Sequence, residues 1–451
     1  VYDANESGTI AGLGNEAVTV TGASSAEADL NGINALTTGV VTVNSTTITG
    51  SAAGINTVYD ANTAGTIAGL GDENITLNGS ITVAQFNELA AKTSGIITAT
   101  ISDNDMATLD NITESGHALT ISTTDAVVVA SDLNALDERT TVQVNAVAVT
   151  TITGTASQLE TTYVGGITGL GNEAIIITNP VISASSLNNL DTYTSGVVNA
   201  ALVTTLTGSF ADILTVNNAF TTGAIIGLGD ENIIVIDALT IAQANTIDAL
   251  TTGVITATIS TTAIADLDDL AGTGNFYTIT VGDSSVTAAA LNTVNASTTV
   301  NVDATAVATI TGTASQLETT YGGGITGLGN EAVTLTGSIT VAQFNELATK
   351  TSGIITATIS ENDMATLDVI TESGHALTIS VTDSSVAASN LNVLNAKTSV
   401  EITITSTSII GSYADVNDVF DANTAGTVSG LGNEDITLTG TITVAQFNEL
   451  A

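Results

Sequence analysis

Two short acidic segments are the residues of this 451-residue chain best suited to bind a metal ion. Their carboxylate and amide oxygens are the ligands that Ca²⁺ prefers. The candidate ligands are Asp103, Asn104, Asp105, Glu361, Asn362 and Asp363. The EF-hand pattern fails after two positions, because Ala107 and Thr108 stand where the third ligand and the glycine belong. Carboxylates are also favoured in the first turn of a helix, where they complement its dipole. Helix capping is therefore the preferred interpretation, and a Ca²⁺ site is the alternative.

A second motif, Gly-Leu-Gly-Asn/Asp-Glu, has the glycine content of a phosphate-binding loop. It lacks the lysine of a P-loop and the full G-x-G-x-x-G fingerprint. We predict instead that its glycines supply the positive φ of turns between repeats, with Asn or Asp beside them. The predicted turn glycines are Gly12, Gly14, Gly69, Gly71, Gly169, Gly171, Gly227, Gly229, Gly327, Gly329, Gly430 and Gly432.

Residues for catalysis are poorly supplied. His117 and His375 occupy equivalent positions in two near-identical segments, and neither has a second histidine nearby for a metal site or a triad. Glycoside hydrolysis needs a cleft with aromatic sugar contacts, and the chain has no Trp and seven Tyr. Threonine pairs such as Thr98/Thr100 resemble those of ice-binding proteins, but they recur too rarely to form a continuous array. We therefore predict that the protein is not an enzyme.

The elements that must position these residues are repeated along the chain. Gly79–Ser122 returns at Gly337–Ser380 with three differences over 44 positions. The glycine motif begins at residues 12, 69, 169, 227, 327 and 430, which defines cassettes of about 57 and about 100 residues. The sequence begins and stops within this pattern. We expect it to be a segment of a longer chain.

Each cassette contains a shorter repeat of a strand-like run, a Ser/Thr cap, a short helical segment and a turn. Ile97–Ile101 alternates apolar residues with threonine, which predicts a strand with one buried face. Thr82 and Gln85 form a capping box that predicts a following helix. The same box recurs at Thr155/Gln158, Thr240/Gln243, Thr313/Gln316, Thr340/Gln343 and Thr443/Gln446. Counting one helix start per repeat predicts about 17 repeats.

A strand, a helix and a return to the next strand make a parallel crossover, which is right-handed in nearly all proteins. Helices of two turns are not stable alone and must pack on a sheet. The predicted fold is therefore an α/β solenoid of about 17 right-handed rungs, where a rung is one strand–helix repeat. The alternative is a pure parallel β-helix. No linker or shift in composition interrupts the pattern, so we predict one continuous solenoid over residues 1–451.

The charge of the chain restricts its partners. It has 45 acidic and four basic residues, a net charge of −41. Such a surface repels nucleic acid and anionic membranes. No apolar run is long enough to span a bilayer, so membrane insertion is not expected either. Cysteine is absent, which leaves the question of export open, because repeats can stabilise a secreted protein without disulfides.

The segment ITVAQFNELAAKTSGIITATIS at Ile81–Ser102, with GVITATIS at Gly253–Ser260, resembles the repeats of giant secreted or surface proteins of bacteria, especially cyanobacteria. The resemblance implies an extracellular or cell-surface location and a structural role in a filament, sheath, surface layer or adhesin shaft. Near-identical copies favour self-association, end to end or laterally, over a unique site. The alternative is a Ca²⁺-dependent adhesin module that binds a cell-surface glycan. No cofactor other than that Ca²⁺ is predicted.

Overall fold

The computed structural model describes residues 7–8, 11–12 and 14–450. The chain falls into two compact units, Val1–Glu231 and Asn232–Ala451, called here the N-terminal and the C-terminal unit. The continuity of a single solenoid over 1–451 stays a prediction. Both units are built from short strands and short helices, so the predicted α/β class is confirmed.

The described part of the N-terminal unit contains eight helices and 15 strands. Its helices are Glu27–Leu36, Ala52–Ala64, Val83–Ala90, Met106–Leu109, Ala130–Arg139, Ala156–Val164, Ala184–Tyr193 and Phe210–Thr222. Its strands are Val18–Val20, Ser24–Ala26, Val41–Val43, Thr47–Gly50, Ile67–Ala68, Asn74–Ile81, Ile97–Ile101, Ala118–Thr120, Val127–Val129, Thr151–Gly154, Ala174–Ile177, Val181–Ser183, Val198–Asn199, Thr205–Gly208 and Ile225–Ile226.

The described part of the C-terminal unit contains nine helices and 16 strands. Its helices are Ile241–Asp248, Ile264–Leu267, Ala288–Ala296, Ala314–Thr320, Val341–Ala348, Met364–Leu367, Ala388–Asn395, Tyr413–Thr424 and Val444–Leu450. Its strands are Asn232–Leu239, Ile255–Ile259, Phe276–Thr278, Ser285–Thr287, Val302–Asp303, Thr309–Gly312, Ile325–Thr326, Ala332–Ile339, Ile355–Ile359, Ala376–Thr378, Ser380–Val381, Ser385–Ala387, Ile402–Ile404, Ser408–Gly411, Val428–Ser429 and Asp435–Leu438.

The strands form several small parallel sheets. Neighbouring strands belong to consecutive repeats, and a helix lies between them in the chain. Thr98 pairs with Ala118 and Thr47 pairs with Asn74, which are offsets of 20 and 27 residues, the extremes of the range. A parallel pair needs such a crossover connection, and here the helix supplies it. The helices also exclude the alternative of a pure parallel β-helix.

The core of each unit is a set of aliphatic columns that follow from this register. Ile48 pairs with Ile75 and Ile75 with Ile97, and all three side chains are fully buried. Strand Ile97–Ile101 alternates buried and exposed residues, as predicted, with its two threonines exposed. Identical side chains at equivalent positions stack well, because each strand presents the same face to the same layer.

The helices begin where the capping motifs predict. The side chain of Thr82 accepts the N–H of Gln85 at 3.2 Å, and the side chain of Gln85 accepts the N–H of Thr82 at 3.0 Å. The same reciprocal pair is present at the other five predicted boxes. These predictions are confirmed, because the box depends on residues three apart and needs no tertiary contact.

The apolar face of a capped helix is covered by the repeat that follows it. Phe86 is fully buried, and the imidazole of His117 lies edge-on to its ring at 5.2 Å. Phe344 and His375 repeat this arrangement at 5.3 Å. Phe447, in the third copy of the helix, is 60% exposed. Burial of this phenylalanine therefore depends on the repeat that follows it. Within the described ranges, no helix is long and apolar enough to cross a membrane.

Candidate functional site

The first acidic segment caps two different helices. Asp105 is the N-cap of Met106–Leu109, and its Oδ1 accepts the N–H of Thr108 at 2.9 Å. Hydrogen bonds from the side chain and then the backbone of Thr108 lower the pKa of Asp105. Asp103 instead accepts, at 2.7 Å, the N–H of Val83, the first residue of the preceding helix. The two carboxylates are thus used at separate helix N-termini.

The second acidic segment repeats this division. Glu361 accepts the N–H of Val341 at 3.1 Å, and Asp363 accepts that of Thr366 at 2.9 Å. Asn104 and Asn362 contribute main-chain carbonyls, which accept the N–H groups of a threonine in the next repeat at 2.8 and 2.9 Å. Over residues 7–8, 11–12 and 14–450, no group of three or more His, Cys, Asp or Glu side chains could hold a metal ion. Capping accounts for the acidic residues, and the Ca²⁺ site stays a prediction.

Capping across repeats is a wider pattern that sequence reasoning missed. In six described helices, a side chain 19 to 23 residues further on accepts the N–H of the first helical residue, at 2.5 to 3.1 Å. The pairs are Val83 with Asp103, Met106 with Asp125, Ala156 with Asn179, Ile264 with Asp283, Val341 with Glu361 and Met364 with Asp383. Each bond satisfies an N–H that has no partner within its own helix, and the N-terminal dipole favours the negative charge.

The twelve predicted turn glycines all have positive φ, from 83° to 151°. Gly71 shows why the second glycine of the motif is required. Its φ is 141°, and its N–H donates a hydrogen bond of 2.9 Å to the carboxylate of Glu73, two residues later in the chain. L-residues rarely adopt this conformation, so a side chain there would strain the turn.

The glutamate that ends the glycine motif is buried in four of the six copies of that motif. Glu73, Glu173, Glu231 and Glu331 are 2%, 0%, 5% and 1% exposed. Each accepts the N–H of the second glycine of its own motif at 2.6 to 3.1 Å. A buried carboxylate is costly unless hydrogen bonds replace its water, and the turn provides one of them.

A tyrosine hydroxyl supplies a second hydrogen bond to three of these glutamates. Tyr59 donates to Glu73 at 3.1 Å, Tyr163 donates to Glu173, and Tyr321 donates to Glu331. Burial raises the pKa of Tyr59, which keeps its phenol protonated as a donor. The signal in the sequence was a tyrosine 10 or 14 residues before each glutamate. It is visible only once the helix between them is known.

The histidines are structural acceptors. Each one, like Asn275 in the equivalent position, accepts the N–H of the first residue of an Ile-Thr-Ala-Thr-Ile strand. The bonds run from Ile97 to His117 (3.0 Å), from Ile255 to Asn275 (2.9 Å) and from Ile355 to His375 (3.1 Å). Burial lowers the pKa of both histidines, against a smaller opposing effect of Glu114 and Glu372. The neutral imidazole leaves Nδ1 free to accept.

Asparagines in the helices join each of these helices to the repeat that follows. Eight of them, the Asn ladder, donate Nδ2–H to a main-chain carbonyl 23 or 24 residues further on, at 2.7 to 3.1 Å. They are Asn31, Asn87, Asn134 and Asn188 in the N-terminal unit, and Asn245, Asn292, Asn345 and Asn392 in the C-terminal unit. The available signal was a recurrent Asn within short helices, where its intrinsic propensity is low.

These contacts define an α/β repeat protein whose recurring polar residues link one repeat to the next. No protein-family model matches the chain, and no curated protein sequence matches it either.

Proposed function

We propose that this chain is a structural repeat protein, a right-handed α/β solenoid of about 17 rungs, one for each of the 17 described helices. Its role is to form the shaft of an extracellular filament, sheath, surface layer or adhesin. The observation that carries the proposal is the Asn ladder, because it shows recurrent polar residues used to join one repeat to the next.

The residue types that elsewhere perform catalysis are used in the same way here. The buried glutamates accept N–H groups of their own turns, and both histidines accept N–H groups of strands. Asp103 and Asp125 cap helices of the preceding repeats. A side chain already engaged in a buried hydrogen bond is costly to redirect to a substrate. This supports a structural role over an enzymatic one.

The repeat geometry suits a protein whose task is length. Neighbouring repeats contact one another through parallel strand pairs and recurring side-chain bonds, so stability adds up repeat by repeat. Further repeats extend such a structure without changing those already present. Its short strand edges also offer main-chain groups for association with another copy.

The net charge of −41 would control how such shafts associate. Like charges keep neighbouring shafts apart at low salt, whereas salt and divalent cations screen that repulsion. Lateral association would therefore respond to ionic strength. The aliphatic interior, which lacks cysteine, does not depend on the redox state of the compartment.

Electron microscopy and small-angle X-ray scattering of the purified chain test the proposal. We expect elongated particles of constant width that associate end to end or side by side as salt is raised. Globular particles that stay monomeric at every salt concentration would overturn it.

A further inference from the structure

A groove lies between two consecutive helices of the C-terminal unit, Ala314–Thr320 and Val341–Ala348. Its volume is about 260 Å³. Leu317, Tyr321 and Leu347 form its apolar wall. Two equivalent helix pairs in the N-terminal unit have side-chain contacts that this groove lacks. Comparison with each pair identifies a contact that is missing from one wall of this groove.

The first wall has its counterpart at Tyr163. The segment GTASQLETTY occurs both at Gly154–Tyr163 and at Gly312–Tyr321. In the N-terminal unit, the ring of Tyr193 from the next helix stacks on Tyr163, with centroids 5.3 Å apart and planes inclined by 19°. The position equivalent to Tyr193, ten residues after the helix cap, is Lys350. Tyr321 therefore has no aromatic ring stacked on it, in contrast to Tyr163.

The second wall has its counterpart at Lys92, which is equivalent to Lys350 in the near-identical segments. The ammonium group of Lys92 lies 2.9 Å from the side-chain oxygens of both Asn56 and Asp60, and 3.3 Å from that of Glu88. Asn56 and Asp60 belong to helix Ala52–Ala64. That helix continues for 13 residues, long enough to bring Asp60 to Lys92.

In the C-terminal unit, the first helix of the groove is equivalent to Ala156–Val164. The second helix is equivalent to Val83–Ala90. Ala314–Thr320 ends after seven residues, and the position of Asp60, nine residues after the helix cap, is occupied by Gly322. Within the described part of the chain, the ammonium group of Lys350 makes no hydrogen bond or ion pair. The groove is thus open because Tyr321 lacks a stacked ring and Gly322 brings no side chain to the place where Asp60 meets Lys92.

We propose that this groove binds one neutral pyranose ring of a glycan. The C–H face of the sugar takes the place of Tyr193 against Tyr321, and a hydroxyl oxygen takes the place of Asp60 at Lys350. The phenol of Tyr321 donates to Glu331, so its ring is held in place before the ligand arrives. A preorganised wall lowers the entropic cost of binding.

The polar groups at the rim favour a sugar over other rings. Glu318, Gln343 and Glu346 line the groove together with Lys350. Gln343 uses its Oε1 in the capping box, which leaves its amide N–H groups as donors. Carboxylates accept hydroxyl protons, while Lys350 and Gln343 donate to hydroxyl oxygens. Hydroxyls around a pyranose match this arrangement, whereas a phenol has only one.

Charge and volume restrict the ligand further. The groove is lined by two carboxylates and one ammonium group in a chain of net charge −41, so uronic and sialic acids are disfavoured. The volume of 260 Å³ lies below the usual range for drug-sized ligands, which indicates a single ring. The proposal stands apart from the structural role, because a shaft needs no sugar site and a sugar site needs no shaft.

Saturation-transfer NMR of the intact chain with the methyl glycosides of glucose, galactose and mannose tests the proposal. Glucuronate and phenol serve as the charged and the aromatic comparison. We expect saturable binding of at least one neutral glycoside with a Kd of about 1 mM, a free energy typical of a single small ligand. Glucuronate and phenol should give no saturable signal.

The variants Lys350→Tyr and Lys92→Tyr provide the matched pair. Lys350→Tyr recreates the Tyr163–Tyr193 stack and should abolish binding while the melting temperature is maintained. Lys92→Tyr makes the same change in the N-terminal unit, away from this groove, and should leave binding intact. The proposal is overturned if no glycoside binds, if Lys350→Tyr still binds as the parent does, or if phenol binds in place of the sugars.

Discussion

The Nδ1 atom of His117 accepts the main-chain N–H of Ile97 at 3.0 Å, across a separation of 20 residues in the chain. The bond fixes the protonation state of the imidazole, since a protonated Nδ1 could no longer accept. Burial of the ring lowers its pKa from the ordinary value of 6.5. Protonation of His117 at Nδ1 would therefore break a hydrogen bond to the strand Ile97–Ile101.

This linkage predicts that the fold loses stability as pH falls below about 6.5. In that range the unfolded chain binds a proton at His117 and His375, whereas the folded chain keeps both neutral, and the loss levels off below the folded-state pKa. Melting temperatures measured between pH 7.5 and 5.5 should fall more for the parent chain than for the double variant His117→Asn/His375→Asn. Asn275 already accepts the equivalent bond, so the variant is a matched control. An identical slope for both chains would show that the histidines are not responsible.

Replacing a buried glutamate of the glycine motif should destabilise the N-terminal unit. Glu73→Ala leaves the N–H of Gly71 and the hydroxyl of Tyr59 without their acceptor. Each such buried group costs about 1–3 kcal/mol, which urea denaturation can measure. Glu434 makes the same turn bond at 2.9 Å but is half-buried, so Glu434→Ala should cost under about 0.5 kcal/mol. Equal losses for the two variants would contradict the role assigned to burial.

The Asn ladder contains an internal comparison. Asn134 donates to Gln158 at 2.9 Å and also accepts the hydroxyl of Thr162 at 2.7 Å. Asn188 donates to Asp212 at 3.1 Å, but its buried Oδ1 has no hydrogen-bond partner. We expect Asn134→Ala to cost about 1 kcal/mol more than Asn188→Ala in equilibrium unfolding, the usual net value of one hydrogen bond. A larger loss at Asn188 would argue against the ladder as the source of stability.

Chelation should leave the melting temperature unchanged if the acidic segments cap helices. A Ca²⁺ site held at 100 times its Kd would instead add about 2.7 kcal/mol, which EDTA would remove. Asp105→Ala should lower stability by about 0.5–2 kcal/mol through loss of the N-cap. Asp105→Ser should recover most of that loss, because a serine hydroxyl caps equally well but binds Ca²⁺ poorly. A melting temperature that rises with Ca²⁺ in the parent chain but not in the Asp105→Ser variant would restore the calcium interpretation.

Local features were predictable from the sequence because they depend on residues close together in the chain. Alternation in Ile97–Ile101 identified the strand, and Thr82 with Gln85 identified a helix start. The capping interpretation of Asp105 also predicted the helix that follows it, Met106–Leu109. The partners of Asp103, Glu73 and His117 were not predicted, since each lies in a different element whose register the spacing does not specify.

The sequence by itself determined the repeat, the capped helices, the turn glycines and the acidic surface, because these follow from periodicity, local hydrogen bonding and composition. Only the tertiary structure decided which polar side chains join the repeats and which groove stays open. Lys92 and Lys350 stand in near-identical segments, yet one has Asp60 beside it and the other faces Tyr321. The difference arises in the preceding helix, which approaches each lysine only when consecutive repeats stack.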